Sequence, residues 1–340
     1  MTRTFVAAVV LIGVTGIGVA AQRGQFPPPP PPNGAPPPPG QGRGGLGGRG
    51  GGPDGLGGLN VPESNPLTPE KIALGRKLFS DTSLSMDRST SCATCHDPAK
   101  AFTDGRALAI GIHHAHGSRN SPTLVNAGNG RAFFWDGRAD SLEAQALQPM
   151  INPKEMGLSD AEIEKRTGLK VADVTNALAS YMRTIRSHES RVDYYRAGQT
   201  EMLNADEKAG FEIFRGKGQC APCHGGPNFT DDRFHNTGVG FGNGTNSDEG
   251  RFAVSHDERD RAAFKTPTLR EVSLTAPYMH DGSLPTLDDV VEFYSKGGIR
   301  NPNQDPRMRP LNLSADEKRQ LVAFLKALSG RITEGLPKSH

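Results

Sequence analysis

The chain of 340 residues is long enough for two small domains plus appendages. Its 39 basic and 37 acidic residues leave a net charge of +2, which gives no electrostatic case for nucleic acid. Hydrophobic residues make up 35% of it, a modest share that a Pro/Gly-rich stretch dilutes locally.

Residues 1–21 read as a secretory signal. Arg3 supplies a positive start, and Phe5 to Val19 is an apolar run broken only by small residues and one threonine. Val19-Ala20-Ala21 then places small residues where a signal peptidase cuts. The competing reading is a retained anchor. The run is shorter than the ~20 residues a span needs, and Gly13, Gly16 and Gly18 interrupt it. Export to the periplasm is expected, with no membrane span once the signal is removed. Residues 22–60 are low in complexity. Pro27 to Pro32 and Pro36 to Pro39 predict extended polyproline II, and Gly40 to Gly58 a flexible continuation. With almost no apolar side chains to bury, this segment reads as a disordered linker.

Order is expected from Val61. Thr68-Pro69-Glu70 is a helix start, and Ile72, Leu74, Leu78 and Phe79 give that helix two apolar stripes. Cys92-Ala93-Thr94-Cys95-His96 follows. Asp140 and Glu143 predict an acidic capping pair for a helix through Leu147. Val171 to Ile185 is apolar at helical spacing. Asn204 caps a helix through Phe214, and Cys220-Ala221-Pro222-Cys223-His224 follows it. Thr286 caps a helix holding Leu287, Val290, Val291 and Tyr294. Ser314 caps a last one through Leu328, stopped at Gly330. Each half thus reads as helix, motif, loops and closing helix, a weak internal repeat with few strand signals. The polar run from Ser187 to Asn204 marks the expected boundary.

The two Cys-x-x-Cys-His motifs contain every cysteine in the chain. Two thiols three apart can form thioethers to the two vinyl groups of one haem, with the adjacent histidine as proximal iron ligand. The alternative is one zinc site shared by both pairs. Zinc ribbons bring their pairs within about 15–20 residues, whereas here more than a hundred separate them. The expectation is a mostly α fold of two cytochrome c-like domains, residues 61–195 and 196–335, each around one covalently bound haem c. An electron carrier with both irons saturated would satisfy these motifs alone.

Further stretches carry a resemblance. They include Arg119-Asn120-Ser121-Pro122-Thr123-Leu124, Phe134-Trp135-Asp136-Gly137-Arg138-Ala139 and Asn152-Pro153-Lys154-Glu155-Met156-Gly157. The second half adds Phe234-His235-Asn236-Thr237-Gly238, Lys265-Thr266-Pro267-Thr268-Leu269-Arg270 and Ala276-Pro277-Tyr278-Met279-His280-Asp281-Gly282-Ser283. From about Leu67 to Gly330 the chain resembles the bacterial dihaem cytochrome c peroxidase and MauG family. The resemblance implies a peroxide-reactive haem on His96 and an electron-transfer haem on His224. It makes Glu155 the acid–base group of the reactive pocket, with Gln145 and Pro149 at family-like offsets. By itself, Glu155 would read as an exposed loop acid. Trp135, the sole tryptophan, would relay electrons between the haems, a role compatible with being a packed core aromatic. Asn120, Thr275 and Pro277 match a calcium site built from one amide and two backbone carbonyls.

Distal iron ligands stay open. His113, His114 and His116 crowd one loop, and any of them could cap the first haem, or none. At the second haem the candidates are Tyr294, at the family's ligand position fourteen residues after His280, and Met279 within the motif. A phenolate favours oxidised iron and a thioether raises the potential. Tyr294 is otherwise part of an apolar helical face. The implied function is reduction of hydrogen peroxide with electrons from a small c-type cytochrome or copper protein. The alternatives are MauG-like oxidation of residues on a partner protein and a non-enzymatic carrier.

Overall fold

The computed structural model describes residues 59–336. The expected signal at 1–21 and all but the last two residues of the expected linker lie outside this range. Ten helices account for most of the regular structure among the described residues. They are α1 (Pro69–Phe79), a single turn α2 (Cys92–Cys95), α3 (Leu142–Ile151), α4 (Asp160–Thr167), α5 (Val171–Arg183), α6 (Arg191–Arg196), α7 (Ala205–Arg215), α8 (Phe252–Ser255), α9 (Leu287–Ser295) and α10 (Ala315–Lys326). Six strands of two or three residues pair antiparallel as β1 (Arg186–His188) with β6 (Arg331–Thr333), β2 (Phe234–His235) with β5 (Phe264–Lys265), and β3 (Phe241–Gly242) with β4 (Thr245–Asn246). The fold is mostly helical. Among the described residues no helix is long and apolar enough to cross a membrane.

Local capping chemistry sets most helix starts. Thr68, Asn204, Thr286 and Ser314 each accept a backbone N–H from the first turn, at the expected places. The start of α3 differs from expectation. Its cap is Ser141, whose hydroxyl accepts from Ala144 N, not an Asp140/Glu143 pair. Glu143 instead pairs with the buried Arg183 at 2.7 Å. The helix also runs beyond Leu147, with Pro149 inside it. The polar stretch after Ser187 folds into α6 and a 3₁₀ turn at Thr200–Met202.

Two hydrophobic cores are present, and their construction repeats. In the first, α1 packs on α5, and Phe79 meets Phe102 and Tyr181 edge-on with ring centroids 6.3 and 5.1 Å away. In the second, α7 packs on α10, and Phe214 meets Phe229 at 6.3 Å and Phe324 at 5.0 Å. Each pair of helices approaches through a glycine. A Cβ on Gly75 would clash with the Ala177 carbonyl of α5, and one on Gly210 with the Gln320 carbonyl of α10. The β1–β6 pair joins the halves, and Ile332 of β6 packs against the first core. Ser187 is fully buried at that join. Its N–H donates to Asn126 Oδ1 and its hydroxyl to Glu271.

Backbone contact at these glycines leaves no room for a methyl group. Gly75→Ala and Gly210→Ala are each expected to lower stability by about 1–3 kcal/mol through overpacking. Thermal unfolding of the single variants checks this. An unchanged Tm would contradict the helix contact.

Candidate functional site

A single turn shapes each Cys-x-x-Cys-His motif. The His96 N–H donates to Cys92 O at 2.9 Å and the His224 N–H to Cys220 O at 2.8 Å. Both motifs line one mostly apolar cavity of about 820 Å³. Burial pushes the thiols of Cys92 and Cys220 up to about 12 and that of Cys95 up to about 11, so they are neutral at pH 7. The two cysteine pairs do not converge as a shared zinc site requires. Among the described residues the one cluster of three possible metal ligands joins Cys223 to Asp231 and His235.

Both motif histidines are prepared as ligands. Nδ1 of His96 lies 3.1 Å from the Phe102 carbonyl, and Nδ1 of His224 lies 3.1 Å from the Phe229 carbonyl. A carbonyl only accepts, so the proton sits on Nδ1 and the Nε2 lone pair is left for a metal. Burial holds both imidazoles below the usual histidine range, against the opposing pull of these carbonyls and of Asp104 and Asp231. Neutral imidazoles, paired thiols and an apolar cavity along both motifs suit covalently attached haem.

On the first-motif side, Gln145 and Pro149 stand one turn apart on α3 and line the cavity with Asn152 and Glu155. Asn152 Nδ2 donates to Glu155 Oε1 at 2.7 Å. Burial holds the Glu155 carboxyl above the usual range, and the Arg138 charge and the Asn152 bond only partly offset this. The chain here presents a carboxyl with a raised proton affinity, held by an amide. The bond from Asn152 and the nearby charge of Arg138 were not visible in the sequence, although both residues fall in the quoted stretches.

The histidine loop divides. His113 is exposed, and its ring lies 3.6 Å from Asp87. His113 and His114 both take left-handed backbone angles, φ 53° and 57°. Of the three histidines, His116 alone lines the cavity. On the second-motif side, Tyr294 and Met279 both reach the lining. Tyr294 sits on α9, where burial and then the nearby Cys220 and Cys223 thiols push its phenol well above the ordinary range. Val290 joins it in the lining, whereas Val291 turns into the core.

Trp135 also lines the cavity, and its Nε1–H donates to the Asn120 carbonyl at 2.9 Å. Asn120, Thr275 and Pro277 share the lining. The Asn120 Nδ2 donates to Arg106 O at 2.7 Å, which leaves Oδ1 as the side-chain atom able to ligate a cation. Nearby, Phe264 and His280 stack at 3.6 Å with planes 13° apart. Burial holds the His280 imidazole down at about 4, so it is neutral. The His280 motif is visible in the sequence but this stack is not, since it joins β5 to the loop that carries His280.

The chain is similar to known proteins over most of its length. A family model described as di-haem cytochrome c peroxidase matches residues 69–169. The methylamine utilization protein MauG of Methylorubrum extorquens is 42% identical over 285 residues, 78% of this chain and 80% of that protein. Cytochrome-c peroxidase IdrP2 of Denitromonas iodatirespirans is 37% identical over 316 residues, 79% of this chain and 84% of that protein. A crystal structure of a MauG-like protein associated with microbial copper homeostasis superimposes with a TM-score of 0.75 at 34% identity, covering 80% of this chain and 92% of that one. The family implies two haem c groups, which the two cysteine pairs would attach and the two motif histidines would ligate. This chain belongs to the dihaem cytochrome c peroxidase and MauG family of oxidoreductases.

Proposed function

We propose that the protein is an exported, periplasmic peroxidase that reduces hydrogen peroxide on the first-motif side and draws electrons through the second. Glu155 carries the reading: a raised-pKa carboxyl, oriented by Asn152, on the cavity wall beside Gln145 and Pro149. When bound, haem c held by His96 and His224 would supply redox-active iron at each motif. Cys92 and Cys95 would tether one group and Cys220 and Cys223 the other.

Splitting peroxide into water needs a proton carried from one oxygen to the other. The Glu155 carboxylate takes it from the first oxygen as base and returns it to the departing oxygen as acid. A pKa nearer neutrality suits both halves of that transfer. Asn152 holds the carboxyl in place, and apolar lining limits competing water. Trp135 would pass electrons between the two sides, packed by its bond to Asn120. Asn120, Thr275 and Pro277 would hold a calcium ion through neutral oxygens. His116 is the loop histidine with access to the first side. A small c-type cytochrome or copper protein would be the reductant.

Tyr294 favours a second reading, MauG-like oxidation of residues on a partner protein. Its phenol lies beside Cys220 and Cys223 in the lining. An anionic oxygen ligand would hold iron oxidised and make this side a weak entry port for high-potential electrons. Met279, also in the lining, would do the reverse.

Two measurements test these assignments. Glu155→Gln is expected to lower kcat/KM for peroxide by about 10²–10⁴-fold. In the parent protein, activity should fall as pH drops through the Glu155 pKa, because the base form is required. That acid limb should lie above the ordinary glutamate range and vanish in E155Q. Parent-like turnover in E155Q would remove Glu155 from the reaction. Tyr294→Phe is expected to change the visible spectrum of the second-motif haem alone. An unaltered spectrum would exclude the phenol as ligand and return the choice to Met279.

A further inference from the structure

We propose that Arg119 and Asp248 are positioning residues for Trp135, fixing its turn in the wall of the cavity that both motifs line. The proposal rests on the relay reading of Trp135.

The Arg119 guanidinium is held on two edges. Its Nε and Nη2 donate to Asp248 Oδ2 and Oδ1 at 2.7 and 2.8 Å, a two-pronged carboxylate contact. Its Nη1 donates to Asp136 Oδ2 at 2.6 Å. Asp136 is buried and follows Trp135 directly. Asp248 lies 129 positions from Arg119, in the loop after β4, where the Gly250 N–H fixes its Oδ1 at 2.8 Å. One side chain therefore ties the tryptophan turn to a loop of the other half.

The opposite face of that turn is held as firmly. Arg251 Nη1 donates to the carbonyls of Asp136 and Gly137 at 3.1 and 2.9 Å. The Phe234 ring fills the space where a Gly137 side chain would stand. Lys265 N–H donates to Trp135 O at 2.8 Å. The indole N–H reaches Asn120 O, and Asn120 is the neighbour of Arg119. Backbone, ring and following carboxylate are thus each bonded. The Arg119–Asp248 fork joins this turn through charge to the segment that follows β4.

Such a hold matters for a relay because electron tunnelling falls steeply with separation. In that role the indole gives one electron toward the first-motif side and regains one from the second, ending unchanged. Its N–H is bonded to a carbonyl, which takes no proton, so the proton stays on the ring throughout.

The experiment uses the dihaem protein, half-reduced and loaded with carbon monoxide. A light flash releases the carbon monoxide, and electron exchange between the haems is followed in their Soret bands. Asp248→Asn keeps shape but loses the charged fork, and is expected to slow exchange roughly tenfold or more, as small misplacements of reacting groups do. The resting spectrum of each haem should not change. Trp135→Phe should slow exchange at least as much. A parent rate in D248N beside a slow W135F overturns the positioning role and leaves the relay. Parent rates in W135F overturn the relay and the proposal with it. A lower Tm in D248N with a parent exchange rate marks a merely structural role and also overturns it. Should D248N yield no holoprotein, Arg119→Lys, which keeps the charge without the fork, is judged on the same rates.

Discussion

A histidine binds iron well only when its other ring nitrogen is already occupied, and this chain arranges that bond twice. The acceptors are the carbonyls of Phe102 and Phe229. Both residues take left-handed backbone angles, φ 61° and 50°. That turn sends each ring into a core and each carbonyl toward an imidazole. Phe102 packs on Phe79, and Phe229 on Phe214, in the helix preceding each motif. Hydrophobic packing thereby fixes a tautomer, and the tautomer fixes which nitrogen is free. Loosening either core would loosen the ligand.

The halves share this scaffold and differ in what they set against it. Beside the first motif stand an amide-held carboxyl, Gln145 and a proline carried within α3. Beside the second stands the phenol of α9. Helix, glycine contact, aromatic trio and motif repeat, whereas the loops between motif and closing helix do not. Chemistry diverges in those segments at side chains that face the cavity, such as Gln145 and Tyr294, while their neighbours Ala146 and Val291 pack into the cores.

Local features were legible in the sequence. Caps such as Asn204 and Ser314 act within one turn, so their residue types announce them. The cysteine motifs are legible for the same reason. At α3 the neighbouring acid drew the reading to Asp140, while the shorter Ser141 hydroxyl makes the bond and Glu143 serves Arg183. Tertiary partners were not legible. Nothing near Arg119 in the chain points to Asp248, and nothing near His113 shows that its ring turns to Asp87. Glu155 stood out only through resemblance. The burial that raises its proton affinity is created by folding, and no residue beside it encodes that.

The pairing of β1 with β6 has a consequence for the order of assembly. Ile332, close to the end of the described residues, completes a core whose other members lie between residues 67 and 185. Tyr181 likewise finds its hydroxyl partner in Glu334, at 2.6 Å. A chain emerging from its amino end cannot finish its first core until residues 332–334 have arrived. Both cysteine motifs have by then already emerged. The first core, and the cavity wall it supports, therefore closes only after the second motif is available for its cofactor.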